Sequence, residues 1–204
     1  MSRTPLLLAT TNPGKVREIR KALEGLPLTV LGLADVLPGI AYREQGATFA
    51  ANARGKSQFY SRHWQGLTLA EDSGLEIDAL GGAPGVRSAR FSSPRPTDEK
   101  NNRKVLRLLR GVPAARRGAR FVCAMVLADG GRVVKEIRGE ARGRIGFASH
   151  GRNGFGYDPL FYYPPVRRTF AELDPRGKNK VSHRGRALRK LCRFLAAHLE
   201  AAAR

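Results

Sequence analysis

Thr10-Thr11-Asn12-Pro13-Gly14-Lys15 joins an apolar, strand-like run to a helical pattern, and such a junction suits an anion. A helix N-terminus offers unpaired backbone N–H groups and the positive end of the macrodipole, Gly14 permits the turn, and Lys15 adds a charge. The segment is not a Walker loop: the first glycine of that pattern is missing, and Val16 stands where a magnesium-binding Ser or Thr is required. On these residues alone, a phosphate cradle and an ordinary strand-to-helix turn both stay open. Glu71-Asp72-Ser73-Gly74 reads as an acidic turn closing a short strand, a placement that projects Asp72 away from the core and suits magnesium. Glu44 is distant in sequence, so only the fold can bring it to the same ion, and a solvated loop glutamate is the alternative.

Two further stretches carry candidate contacts. Arg152 to Phe161, RNGFGYDPLF, superficially matches an RNA-recognition pattern, but Asn153 interrupts it and Asp158-Pro159 replaces residues that should continue a central strand. A loop presenting Phe155 to a flat ring fits better; an aromatic plugging the core is the competing reading. Lys178, Ser182, His183 and Arg184 gather two cations and an imidazole at the opening of the last helix, either a second anion-friendly site or a solvated basic stretch.

The elements that must position these residues follow from periodicity and caps. Pro5 to Thr11 reads as a strand. Val16, Ile19, Leu23 and Leu26 lie at helical spacing after it, and Thr29 to Leu33 reads as a second strand. Thr48 opens a helix burying Phe49, Ala53, Ser57, Tyr60 and Trp64, and Leu67 to Ala70 reads as a short buried strand. Thr97 caps a helix carrying Val105, Leu108 and Leu109, and Arg120–Leu127 with Arg132–Ile137 forms a hairpin across Gly130-Gly131. Glycine is frequent from 139 to 156, and Leu188, Leu191, Leu195 and Leu199 mark one face of a terminal packing helix.

At 204 residues with 42% hydrophobic content the chain can bury a substantial core as one domain, 1–204, in two lobes. Apolar stretches fall far short of the roughly 18 residues of a membrane span, and no export signal is visible, so no membrane partner is expected. Cys123 and Cys192 are too few and too far apart for a disulfide framework or zinc ribbon; two buried free thiols in a reducing cytoplasm is the expectation. The formal charge of +20 could serve nucleic acid or phosphates. Arginine is spread through every segment, so a solvated basic surface is preferred to a dedicated nucleic-acid binder.

Taken together, ATTNPGK, EQGATFAANARGK, AEDSGL, GGAPGVRSARF, DEKN, RFVCA, GFGYDPLF and KNKVSHRGRAL resemble, in order and spacing, the inosine triphosphate pyrophosphatase family over nearly the whole chain. The resemblance implies an α/β fold, an elongated mixed β-sheet with flanking helices forming two lobes around a nucleotide cleft, usually as a homodimer. It implies hydrolysis of non-standard purine triphosphates (ITP, dITP, XTP) to the monophosphate and pyrophosphate with Mg2+. By resemblance, Thr10, Thr11, Asn12, Pro13, Gly14 and Lys15 hold the triphosphate with Lys56. Glu44 and Asp72 hold magnesium, Asp72 is the proton acceptor, and Ser73 supports the phosphate end. Phe155, Gly156, Tyr157 and Asp158 match the base-contacting loop, while Lys178, His183 and Arg184 match the remaining base and nucleotide contacts. Glu71 stands where many relatives have aspartate, and the surface is unusually basic for the family. Two other readings compete: a basic nucleic-acid binder on the same fold, and a pyrophosphatase for modified pyrimidine nucleotides, against which the SHRG block argues.

Overall fold

The computed structural model describes residues 3–202. β1, Thr4–Ala9, begins the chain's ordered elements, and Leu6, Leu7, Leu8 and Ala9 are all fully buried. A strand buried on both faces needs a continuous apolar run, and that is what these residues supply. α1, Pro13–Leu23, starts where Asn12 Oδ1 accepts from the Lys15 backbone N–H at 3.0 Å, with proline at its first position. It closes at Leu23, so Leu26 lies beyond it. β2, Leu28–Gly32, pairs parallel with β1, and α2, Leu33–Val36, follows directly.

α3, Phe49–Ser61, opens where Thr48 Oγ1 accepts from Ala51 N at 3.1 Å. Its buried face holds Phe49, Asn52, Ala53, Ser57 and Tyr60, and Trp64 lies past its end. β3, Leu67–Ile77, pairs parallel with β1 and corrects the sequence reading: Glu71 to Gly74 is strand interior, where a closing turn was expected. Glu71 and Asp72 are buried, 1% and 7% exposed, and both find hydrogen-bonding or ionic partners, so the carboxylates do not force the chain out to water. Gly74 keeps this strand close to residues 85–90, because a Cβ there would press against Ser88 and lie 2.9 Å from the Gly85 carbonyl.

Short 3-10 turns at 78–80 and 85–90 lead to α4, Asp98–Leu108, capped by Thr97. Of the apolar residues expected on this helix, Val105 and Leu109 are buried, while Leu108 is 44% exposed. β4, Gly118–Asp129, and β5, Arg132–Ile145, meet at Gly130-Gly131, whose φ values of 52° and 81° match a tight two-residue hairpin turn. β5 runs eight residues past the expected Ile137, because Gly139 and Gly143 are accommodated within the strand. β6, Phe161–Tyr163, β7, Arg168–Thr169, and α5, Pro175–Val181, precede the terminal α6, His183–Ala202. The sheet order β2-β1-β3-β4-β5-β6-β7 combines the parallel β2-β1-β3 set with antiparallel β5-β6-β7 pairing, a mixed α/β sheet flanked by helices as expected.

The chain divides into two compact units. The first comprises Met1–Asp72, Ala124–Arg138 and Ala187–Arg204, with a core that includes Leu7, Ala9, Leu33, Tyr60 and Ala70. Leu188, Leu191, Leu195 and Leu199 of α6 are buried as their spacing requires. The second comprises Ser73–Cys123 and Gly139–Arg186, where Phe121, Phe161, Phe170 and Tyr163 pack at ring separations of 4.7 to 5.9 Å. Neither cysteine is in a disulfide: Cys123 is buried, and Cys192 is only half-buried, less enclosed than expected. Among the described residues no helix is long and apolar enough to cross a membrane.

Candidate active site

In the first unit, four sequence-distant segments bring five charged side chains into one cluster. Lys15, in the first turn of α1, pairs with Glu71 of β3 at 3.3 Å. Lys56, on α3, pairs with Glu44 and donates to the Glu71 carbonyl at 3.1 Å. Asp72 accepts from Asn52 Nδ2 at 2.9 Å. Burial is the main influence that raises the Asp72 carboxyl above the usual aspartate range; the Asn52 hydrogen bond and Lys15 oppose it, Glu44 adds to it, and Lys56 opposes it. That Glu44 acts electrostatically on Asp72 places the two proposed metal ligands in one field.

Asn52 is the residue that sequence reasoning missed. Its amide donates to Asp72, and its carbonyl accepts from Gly46 N at 2.7 Å, tying the 44–46 segment to the strand that carries Asp72. The available signal was an amide on the apolar face of α3 beside Phe49 and Ala53, since a buried amide needs defined partners.

The Thr10–Lys15 loop is more internally bonded than a bare helix end. Asn12 N donates to Thr10 Oγ1 at 3.3 Å, Lys15 N donates to Asn12 Oδ1, and Pro13 has no N–H. Thr11, Asn12 and Pro13 are exposed, Thr10 and Lys15 are half-buried, and Gly14 is buried. A polyanion bound here would rely on the Lys15 ammonium and the threonine hydroxyls more than on open backbone donors.

The second unit gathers the other predicted residues around Phe155. Asp158 Oδ2 accepts from Phe155 N at 2.9 Å and from Lys178 Nζ at 2.6 Å, and both members of that ion pair are nearly sealed, at 6% and 3% exposed. Lys178 Nζ lies 4.7 Å and the Arg184 guanidinium 5.4 Å from the half-buried Phe155 ring centre, within cation–π range. Arg184 also donates to Ser73 Oγ at 2.9 Å, and His183 stacks on Phe121 at 4.6 Å. Tyr157 is buried, its hydroxyl donating to the Ser88 carbonyl at 2.8 Å, and burial pushes its phenol pKa upward. Asp98 accepts from Gly156 N at 2.7 Å and Asn102 donates to Gly156 O at 3.0 Å, so α4 pins this loop from its N-terminal end. Tyr157 and Asp158 thus shape the loop from inside, while Phe155 and Gly156 are its more accessible members.

The donor set fits magnesium. Among the described residues no three His, Cys, Asp or Glu side chains form a ready metal cluster. Magnesium commonly takes one or two carboxylates and completes its octahedron with water and substrate phosphates, so Glu44 and Asp72 would suffice as the protein's share were the ion bound here. A dication and a polyphosphate, arriving together, would replace the Lys56–Glu44 pair with metal–carboxylate and lysine–phosphate ones.

The model of the Ham1 family matches residues 6–194. A dITP/XTP pyrophosphatase of Exiguobacterium sp. is 47% identical over 91% of this chain and 94% of its own length. Among solved structures, a HAM1 protein from Coxiella burnetii superposes with a TM-score of 0.88 at 36% identity, covering 95% of this chain and 99% of that one. A nucleoside-triphosphatase / dITP/XTP pyrophosphatase from Mycobacterium abscessus gives a TM-score of 0.74 at 40% identity, covering 92% and 98%. With the family match spanning most of its length, this chain belongs to the Ham1 family.

Proposed function

We propose that this protein hydrolyses non-standard purine nucleoside triphosphates, dITP, ITP and XTP, to the monophosphate and pyrophosphate. The observation that carries the proposal is the cluster of Lys15, Lys56, Glu44, Glu71 and Asp72, in which two cations stand beside a buried carboxylate of raised pKa. The oxygen of a water molecule forms a bond to the α-phosphorus, the bond from that phosphorus to the bridging oxygen of pyrophosphate breaks, and Asp72 takes the water's proton. Lys15 and Lys56 neutralise charge on the polyphosphate, so no nucleophilic Ser or Cys and no covalent intermediate is needed. Magnesium held by Glu44 and Asp72 would supply further charge neutralisation when bound.

Base selection rests on hydrogen-bond inventory. We assign Arg184 as a donor toward O6 of the base; adenine presents its N6 amino group there, so donor faces donor. Mismatch of this kind can reject ATP by on the order of 10⁴, whereas GTP keeps O6 and is discriminated less completely. Phe155 offers its face to the ring and His183 adds a nucleotide contact, while Lys178, paired with Asp158, holds the loop that carries Phe155.

The homodimer and the cytoplasmic location belong to the same proposal. Sedimentation tests the first, and the two cysteines outside any disulfide support the second. Pyrophosphate release from ITP, XTP, GTP and ATP, with and without magnesium and extended to modified UTP and TTP, tests class, cofactor and selectivity together. Equal rates on all purines would overturn the selectivity, and preference for the pyrimidines would redirect the assignment.

A further inference from the structure

The exposed face of α4 carries Lys100, Arg103, Lys104 and Arg107, spaced i, i+3, i+4 and i+7, so all four lie on one stripe of the helix. With Ser92 and Ser93 they line a hollow of about 320 Å³ that contains no carboxylate. None of these six residues is assigned to substrate or metal above.

Like charges at these spacings destabilise a helix, so the stripe needs a compensating ligand or a reason to stay bare. Backbone carbonyls hold two of the cations in place. Lys100 Nζ donates to Arg95 O at 3.1 Å, and Lys104 Nζ donates to Phe91 O at 2.6 Å while lying 4.3 Å above the Phe91 ring. Each ammonium keeps further donors for a guest. Arg103 and Arg107 are exposed, and among the described residues no carboxylate pairs with either, leaving two guanidinium forks available. Ser92, which lines the same hollow, has a buried hydroxyl with no hydrogen-bond partner among the described residues. A buried hydroxyl in that state calls for a group able to bond it.

We propose that the hollow formed by α4 and residues 91–95 is a second anion site, which binds a short run of phosphates of the pyrophosphate type. Its volume lies at the lower end of small-molecule sites, which suits a compact polyanion. Single-stranded nucleic acid fits less well, because base stacking requires open aromatic faces and no aromatic side chain lines the hollow. Pyrophosphate is the released product in the reaction proposed above; the choice of probe rests on that reading, whereas the existence of the site does not.

The test is calorimetric titration of the full-length protein with inorganic pyrophosphate, without divalent metal and at fixed low ionic strength, because screening weakens such contacts. Wild type is expected to show two sites. Arg103→Gln with Arg107→Gln should weaken one of them at least about tenfold, the scale for losing charge-assisted hydrogen bonds, and Arg103→Lys with Arg107→Lys should restore part of it. The glutamine pair alters exposed positions and is expected to leave turnover of ITP unchanged, whereas Lys15→Ala with Lys56→Ala should remove the other site. A single site that disappears with the Lys15 and Lys56 changes and ignores the Arg103 and Arg107 changes would overturn the proposal. Binding of a single-stranded oligonucleotide that depends on Arg103 and Arg107, with no pyrophosphate bound there, would overturn it equally. Absence of turnover on every triphosphate would refute the proposed reaction while leaving the two-site count intact.

Discussion

The two units both set lysines against carboxylates, and they use the pairing differently. In the first unit Lys15 and Lys56 remain about 15% exposed, and their carboxylate partners sit beside Asp72, whose own pKa is raised by burial. The Lys56–Glu44 pair, 14% and 23% exposed, can exchange its carboxylate for a phosphate without leaving a sealed charge behind. In the second unit the Lys178–Asp158 pair is sealed from solvent, and Asp158 simultaneously holds the Phe155 backbone. That pair cannot be exchanged without exposing a buried charge, so it acts as a fixed strut for the loop that carries Phe155. Solvent access, more than residue type, separates an ion pair that can take part in binding from one that maintains shape.

The contrast is most sharply broken at its reactive carboxylate. Asp72→Asn should lower turnover by roughly 10² to 10⁴, the range for losing a positioned base. The same change should stabilise the metal-free protein at neutral pH. Asp72 has a raised folded-state pKa, so between the unfolded and folded values the native state holds more protons and stability falls as pH rises. Thermal melts in chelator should show the variant above wild type at neutral pH, with the gap closing as pH drops through the folded Asp72 pKa. Steady-state rates near wild type would remove Asp72 from its role.

Next in size is the strut. Asp158→Ala leaves Lys178 buried without its carboxylate and should cost about 3–5 kcal/mol, read by urea unfolding. A loss below about 1 kcal/mol would show that the second-unit pair is as replaceable as an exposed one. Asn52→Ala should cost about 1–3 kcal/mol for the lost buried hydrogen bonds. It also deletes an interaction that lowers the Asp72 pKa, so the acid limb of the pH–rate profile should move to higher pH. An unmoved limb would separate Asn52 from the charge state of Asp72. Smallest is Glu44→Gln, which alters a partly exposed ion pair and should change stability by less than about 1 kcal/mol. Its larger effect should be a rise in the magnesium concentration needed for half-maximal rate; an unchanged requirement would dismiss Glu44 as a ligand.

Much of the scaffold was legible because its signals are local. Asn12, Thr48 and Thr97 each cap the helix that follows, and Gly130-Gly131 makes the hairpin turn that its dipeptide implies. The leucine spacing of α6 is reproduced in its burial. The Glu71–Gly74 reading failed for the opposite reason: acidic residues beside a glycine look like a turn when only neighbours are considered, and here long-range partners keep them in the strand. Of the two leucines expected on α4, only Leu109 is buried, since which of two adjacent leucines reaches the core depends on how the helix end is oriented.

The amino-acid sequence alone therefore determined the caps, turns and apolar stripes, because those forces act within about one helical turn or between adjacent strand residues. Only the tertiary structure decided that Asn52 meets Asp72 across 20 positions and that Arg184 reaches Ser73 across 111. It likewise decided which lysines stay wet and which is enclosed. The physical reason is that charge, burial and hydrogen-bond satisfaction at a site are set by whichever segments arrive there, and spacing along the chain carries no record of that arrival.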